Sequence, residues 1–169
     1  YNPVPEKPEP FPESAFRSES TGGITVTAAS VRGKKHKHEG SNGDDFFAFE
    51  FYDGAVIAAV ADGAGSKPFS RIGAKASCEA VIRFAKMRLA AIKSVSPDYN
   101  KKLGAALDSA EFGTVCSQIA ETLRDSYAEA YASVEAAFEK RKDLPEFEDA
   151  IGRKPELKDF SCTLLAAMV

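Results

Sequence analysis

Hydrophobic and polar positions alternate from Phe46 to Tyr52, where Phe47, Phe49 and Phe51 interleave with Ala48, Glu50 and Tyr52. A period of two is the signature of a β-strand with one buried face. From Ala55 to Ala61 the pattern becomes an unbroken apolar run, which predicts a strand buried on both faces. Only Asp53-Gly54 separates the two runs. An Asp-Gly pair between strand-like segments is a strong hairpin signal, so the strands are expected to pair antiparallel. Ile24 to Ala28 alternates as an earlier strand, and the run from Phe160 to Val169 reads as a last one. The period turns helical in two places. From Ser70 to Ile92, one stripe holds Cys78, Val81, Ile82, Ala85, Leu89 and Ile92, opposite Lys75, Glu79, Arg83 and Lys86. From Glu111 to Lys142, a second stripe holds Phe112, Val115, Cys116, Ile119, Leu123, Tyr127, Ala130, Val134 and Phe138. A coiled coil is the alternative for so long a pattern, but the run lacks a sustained charged flank of heptad type.

The rest of the chain is punctuation. Prolines at 3, 5, 8, 10 and 12 deny residues 1–16 both a helix and a sheet and favour an extended polyproline arm. The domain division that follows is 1–20 as an arm or linker and 21–169 as one folded unit. Pro5-Glu6-Lys7-Pro8 also has the spacing of ligands for proline-binding modules, with a plain linker as the simpler reading. Ser94 to Ala110, with Pro97 and Gly104, reads as a loop with a short helical turn. Leu144 to Asp159, polar and carrying Pro145, Gly152 and Pro155, reads as a variable surface connection.

Chemistry enters where the apolar run stops. Asp62 closes it, and Gly63 and Gly65 free the backbone just beyond, so that main-chain groups can approach a ligand. A charge at the end of a buried strand needs a partner. Taken alone, this is also an ordinary Asp-Gly turn. A second acidic turn, Gly40-Ser41-Asn42-Gly43-Asp44-Asp45, precedes the alternating strand. In a hairpin turning at Asp53-Gly54, the start of the first strand lies beside the end of the second. Asp44, Asp45 and Asp62 thereby become neighbours. Carboxylates so placed raise one another's pKa unless divalent cations neutralise them, and an oxygen-only donor set favours Mg2+ or Mn2+.

These residues, with Gly33-Lys34-Lys35-His36 before them and Ser70-Arg71-Ile72-Gly73-Ala74 after, resemble the bacterial branch of the metal-dependent type 2C (PPM) protein phosphatases. The resemblance runs from about Ile24 to the last strand. It implies an α+β fold, a β-sandwich of antiparallel sheets flanked by long antiparallel helices, with a two-metal site at one end. Asp62 is similar to the carboxylate that bridges two Mg2+ or Mn2+ ions and Gly63 to the residue whose carbonyl binds one of them. Asp44 matches the acid that holds metal-bound water, and Asp45 stands one residue off that alignment. The implied reaction is hydrolysis of phosphoserine and phosphothreonine in proteins, with a phosphorylated protein as the substrate partner.

Two departures and the ending qualify the resemblance. Where many members follow Asp-Gly with a proton-donating His, this chain has Ala64. Upstream, where many members hold phosphate with an Arg, it has His36, which could hold phosphate or donate a proton. Arg32 accompanies His36 as a phosphate-binding candidate in the basic stretch Arg32 to His38, and a solvated basic turn is the plainer reading of that stretch. Later strands of the family supply further metal-binding acids. The run ending at Val169 has no turn or polar tail after it, so the fold is expected to be incomplete here, with a companion C-terminal fragment as partner and little activity for the chain alone. A different class of function, a non-catalytic pseudophosphatase that binds a partner, fits the same residues.

Composition narrows the setting. At 169 residues, 44% hydrophobic and 28% charged, the chain can bury a sizeable core as one domain. A net charge of −3 argues against nucleic acid as partner. No stretch has the apolar length of a membrane span, so no membrane association is expected and a cytoplasmic location is. Cys78, Cys116 and Cys162 are far apart and odd in number and read as buried thiols of a reducing compartment.

Overall fold

The computed structural model describes residues 1–95 and 111–169. It is an α+β fold with two antiparallel sheets and long helices, the class that the family resemblance implies. β1 (Ser14–Thr21) and β2 (Ile24–Val31) form one hairpin, closed by Gly22 and Gly23 at φ 59° and 84°. β3 (Phe46–Tyr52), β4 (Ala55–Gly63) and β5 (Cys162–Met168) form a three-stranded sheet with β4 at its centre. Asp53 and Gly54 join β3 to β4 at φ 53° and 83°, the left-handed pair that a two-residue hairpin loop of this hand requires.

Two helices cover one face of that sheet. α1 (Lys34–Glu39) is a single short turn before β3, where the sequence reading saw only a basic loop. α2 (Ser70–Val95) lays Ala74, Cys78, Val81, Ile82 and Ala85 against Ile57, Ala59 and Ala61 of β4. α3 (Glu111–Glu139) packs on α2. Its buried stripe differs from the one read in sequence: Cys116 and Tyr127 are exposed, while Thr122 and Ser126 are buried beside Ala130. Their hydroxyls donate to their own helix, to the Gln118 and Leu123 carbonyls at 2.8 and 2.6 Å, so small polar residues can sit at a close helix contact. Cys116 corrects the expectation of three buried thiols; Cys162 is half-buried, and burial pushes the Cys78 thiol up to about 12.

β4 is a second correction. Its helix side is buried, but Val60 is 50% exposed and Asp62 is exposed, because among the described residues no helix covers the other face near the strand's end. A third concerns Leu144 to Asp159: most of the segment is exposed, as a surface connection would be, but Phe147, Pro155 and Asp159 are buried. α4 (Pro145–Ile151) and the 3-10 turn Leu157–Phe160 seat Phe147 and Phe160 on Phe69, with ring centroids 4.9 and 5.5 Å apart, and both are fully buried. A Cβ at Gly73 would overlap the Phe160 carbonyl oxygen, so only glycine lets α2 cross this turn. Most of the loop expected over Ser94–Ala110 lies outside the described residues.

The proline-rich arm lies against the domain. Asn2 donates from its backbone to the Lys37 carbonyl at 2.7 Å, Phe11 to Asn42 Oδ1 at 2.8 Å, and Arg141 grips the Glu9 carboxylate at 2.6 and 3.0 Å. β1 begins at Ser14, two residues after Pro12, the last proline of the arm, and takes in Phe16. Among the described residues no helix is long and apolar enough to cross a membrane.

Candidate active site

The β3–β4 register pairs Phe46 with Ala61. Continued by one and two residues, it brings Asp45 beside Asp62 and Asp44 beside Gly63. The approach is close enough that a Cβ on Gly63 would stand 2.5 Å from the Asp44 carbonyl oxygen, 2.8 Å from Asp44 Cβ and 2.8 Å from Ser70 Oγ. Glycine is required there by space. The three acids that the sequence proposed for metal are thus gathered at one rim.

Their electrostatics are unsettled. Burial raises the Asp44 carboxyl above the ordinary carboxylate range, with His36, Ser70 and Arg71 pulling the other way. Burial also raises Asp45, and the adjoining Asp62 carboxyl adds to it; His36 and the Gly63 amide oppose the rise. His36 Nε2 lies 3.5 Å from Asp44 Oδ2, and its Nδ1 is fixed by Ser41 Oγ at 2.8 Å. Gly40, in the left-handed region at φ 72°, ends α1 and turns the chain from His36 into the acidic loop.

Two residues at the start of α2 belong to this rim, although the sequence reading gave them no role. Ser70 Oγ is fully buried and makes no hydrogen bond of full geometry, yet lies close enough to Asp44 to help hold its charge. Arg71, also buried, faces Asp44 electrostatically and donates to the carbonyls of Pro8, Glu9 and Pro68. The available signal was position: both open the long helix that follows the Asp-Gly turn.

Arg32 is placed differently from the phosphate role expected of it. Its side chain is buried, and the guanidinium donates to the carbonyls of Asn2, Pro3, His36 and Ser41 and to Glu13. A phosphate could reach it only by displacing those partners, so Arg32 acts as a clasp between the arm and the loop that carries His36.

The donor set suits a hard divalent cation: carboxylates from Asp44, Asp45 and Asp62, an unpartnered hydroxyl from Ser70, and a backbone opened by Gly63. Among the described residues no three His, Cys, Asp or Glu side chains converge on one point as a finished ligand set. The rim therefore offers part of such a set, with room for main-chain and water oxygens. The protein phosphatase 2C family matches residues 32–169, a span that includes the rim and both long helices. Neither a curated protein nor a solved structure matches the chain. With most of its length covered by that match, the chain belongs to the protein phosphatase 2C family.

Proposed function

We propose that the protein hydrolyses phosphoserine and phosphothreonine in proteins with two Mg2+ or Mn2+ ions, this chain supplying part of the site at the rim. Asp62 lies in contact with Asp45 across the hairpin, and no lysine or arginine among the described residues pairs with either. That observation carries the reading: like charges kept together without a protein counter-ion call for a cation from outside. Asp62, Asp44 and Asp45 are the carboxylates that would hold it, with Gly63 lending a main-chain oxygen. Such ions supply the charge that acidifies water and screens phosphoryl oxygens.

The remaining work falls to the chain's own groups. His36, held through Nδ1 by Ser41, presents Nε2 on the Asp44 side of the rim, where it can donate to a phosphoryl oxygen or to a departing alkoxide. Ala64 offers no proton, which leaves His36 as the candidate donor in this part of the site. Three free thiols support a reducing, cytoplasmic setting.

The test combines binding and turnover. Calorimetry with Mn2+ should show binding that Asp62→Asn weakens about a hundredfold, and phosphate release from a phosphothreonine peptide should require Mn2+ or Mg2+ and fail with His36→Ala. A chain that binds no Mn2+ and releases no phosphate would instead be a non-catalytic member that holds a partner.

A further inference from the structure

A cleft of about 450 Å3 adjoins Asp44 and His36, a size within the about 300–1,000 Å3 typical of ligand sites. Beside the His36–Asp44 loop and Ala150 and Ile151, its lining includes two segments far apart in sequence. The arm supplies Pro5, Lys7 and Pro8, and the turn into α2 supplies Lys67, Pro68 and Phe69. Arg71 ties the two together by donating to Pro8 and Glu9 on one side and Pro68 on the other. Arg32 fixes the arm's beginning at Asn2 and Pro3, and Arg141 fixes Glu9. This wall is therefore in place before any ligand arrives, which lowers the ordering cost of binding.

The charges in the cleft are uneven. Its carboxylates each have a basic neighbour: Glu39 lies 4.0 Å from Lys35, and Asp44 lies 3.5 Å from His36. Its two lysines differ. Lys7 is exposed and Lys67 half-buried, and neither pairs with a carboxylate among the described residues. Two uncompensated ammonium groups beside apolar Pro5, Pro8 and Phe69 suit an extended peptide with carboxylates of its own.

We infer that this cleft receives the residues flanking a phosphorylated side chain, and that Lys7 and Lys67 select substrates with aspartate or glutamate there. The inference rests on the phosphatase reading above and names its substrate class. The arm then serves as a specificity wall of the site.

The experiment uses the full chain with Mn2+ and two fluorescein-labelled peptides carrying a non-hydrolysable phosphonate analogue of phosphothreonine, one flanked by aspartates and one by alanines. Fluorescence anisotropy should give about tenfold tighter binding of the acidic peptide at low salt, the order expected of two partly exposed charge pairs. The preference should shrink as salt rises. It should fall to about twofold or less in Lys7→Gln/Lys67→Gln and invert in Lys7→Glu/Lys67→Glu. Circular dichroism matching that of the unaltered chain would show that both variants fold. Equal affinity for the two peptides, or a preference that survives both double variants, overturns the inference. Hydrolysis of p-nitrophenyl phosphate by the unaltered chain separates the two levels. With hydrolysis present, equal affinities sink the substrate class alone. With neither hydrolysis nor phosphonate binding, the phosphatase reading falls and takes this inference with it.

Discussion

The two ends of the β3–β4 hairpin treat their acids in opposite ways. At the turn end, Glu50 is met by Lys86 and Asp53 by Lys93, the second pair at 2.6 Å, both lysines coming from α2. At the open end, the same helix begins with Ser70 and Arg71, and Arg71 spends its hydrogen bonds on main-chain carbonyls. Asp45 and Asp62 there face each other instead of a lysine. One helix thus neutralises the acids of one end and leaves those of the other in conflict. A fold able to place lysines on α2 at the turn has no structural need for unpaired acids at the rim, so the rim's composition points to a ligand.

The widest gap between the ends should appear in cation binding. Asp62→Asn is expected to lower Mn2+ affinity by about a hundredfold, close to 2.7 kcal/mol, by removing a charged oxygen donor. Lys86→Met and Lys93→Met, at the far end, should leave Mn2+ affinity unchanged in the same calorimetric titration. A fall in affinity with the lysine variants, or none with Asp62→Asn, would erase the distinction on which the site rests.

Glycine substitutions probe the same contrast through sterics. At the rim, Gly63→Ala drives a methyl into the Asp44 backbone and Ser70, and should cost about 1–3 kcal/mol in urea unfolding, as overpacked sites do. At the turn, Gly54 has open space around its missing Cβ but a φ of 83°, so Gly54→Ala should cost about 1 kcal/mol from backbone strain alone. Equal costs would mean that the rim can relax and that its close approach is not built in.

The turn-end pairs supply a smaller number. Lys86→Met should cost about 0.5–1 kcal/mol, since Lys86 and Glu50 are both partly exposed, and the cost should shrink in high salt.

How much of this could be read before the structure differed by region, for physical reasons. The hairpin and its rim follow from local signals, an alternating period and an Asp-Gly turn, because two adjacent strands fix each other's register over a short loop. The α2 stripe was legible for the same reason. Leu144 to Phe160 was not. Its polar residues are local, but Phe147 and Phe160 reach Phe69 across the chain, and nothing in the segment's own pattern announces a contact so distant in sequence. Asp159 was read as a polar connector, yet it is buried and held by Arg153 at 2.8 Å and by the Glu156 amide at 2.8 Å, which pull its carboxyl below the usual range. The α3 stripe was misread at Thr122 and Ser126 because hydroxyls that bond to their own helix count as polar in sequence and as small in packing. Arg32 illustrates the same limit. A basic residue beside the acidic turn invites a phosphate role, and only the docked arm reveals that its donors are already taken by carbonyls and by Glu13.

The finest test of the contrast is one of sign. Asp44 and Asp45 hold their protons to higher pH in the folded chain than in the unfolded one. Such a group contributes stability below the unfolded carboxylate pKa, about 3.9, and loses it as pH rises through the elevated folded value. Asp45→Asn keeps the neutral form at every pH. Without cation, the variant should therefore be more stable than the unaltered chain near pH 7, by about 0.5 kcal/mol, the scale of one cross-strand repulsion relieved at a largely open position. Near pH 3 the gain should vanish, because the unaltered Asp45 is protonated there too. Saturating Mn2+ should reverse the order at pH 7, since under the proposed function the carboxylate that destabilises the rim is one that would bind the ion. Urea unfolding at the two pH values, with and without Mn2+, gives all the comparisons. A gain that persists at pH 3, or one that Mn2+ leaves intact, would show that Asp45 acts through packing and that the rim's charge has no ligand to answer.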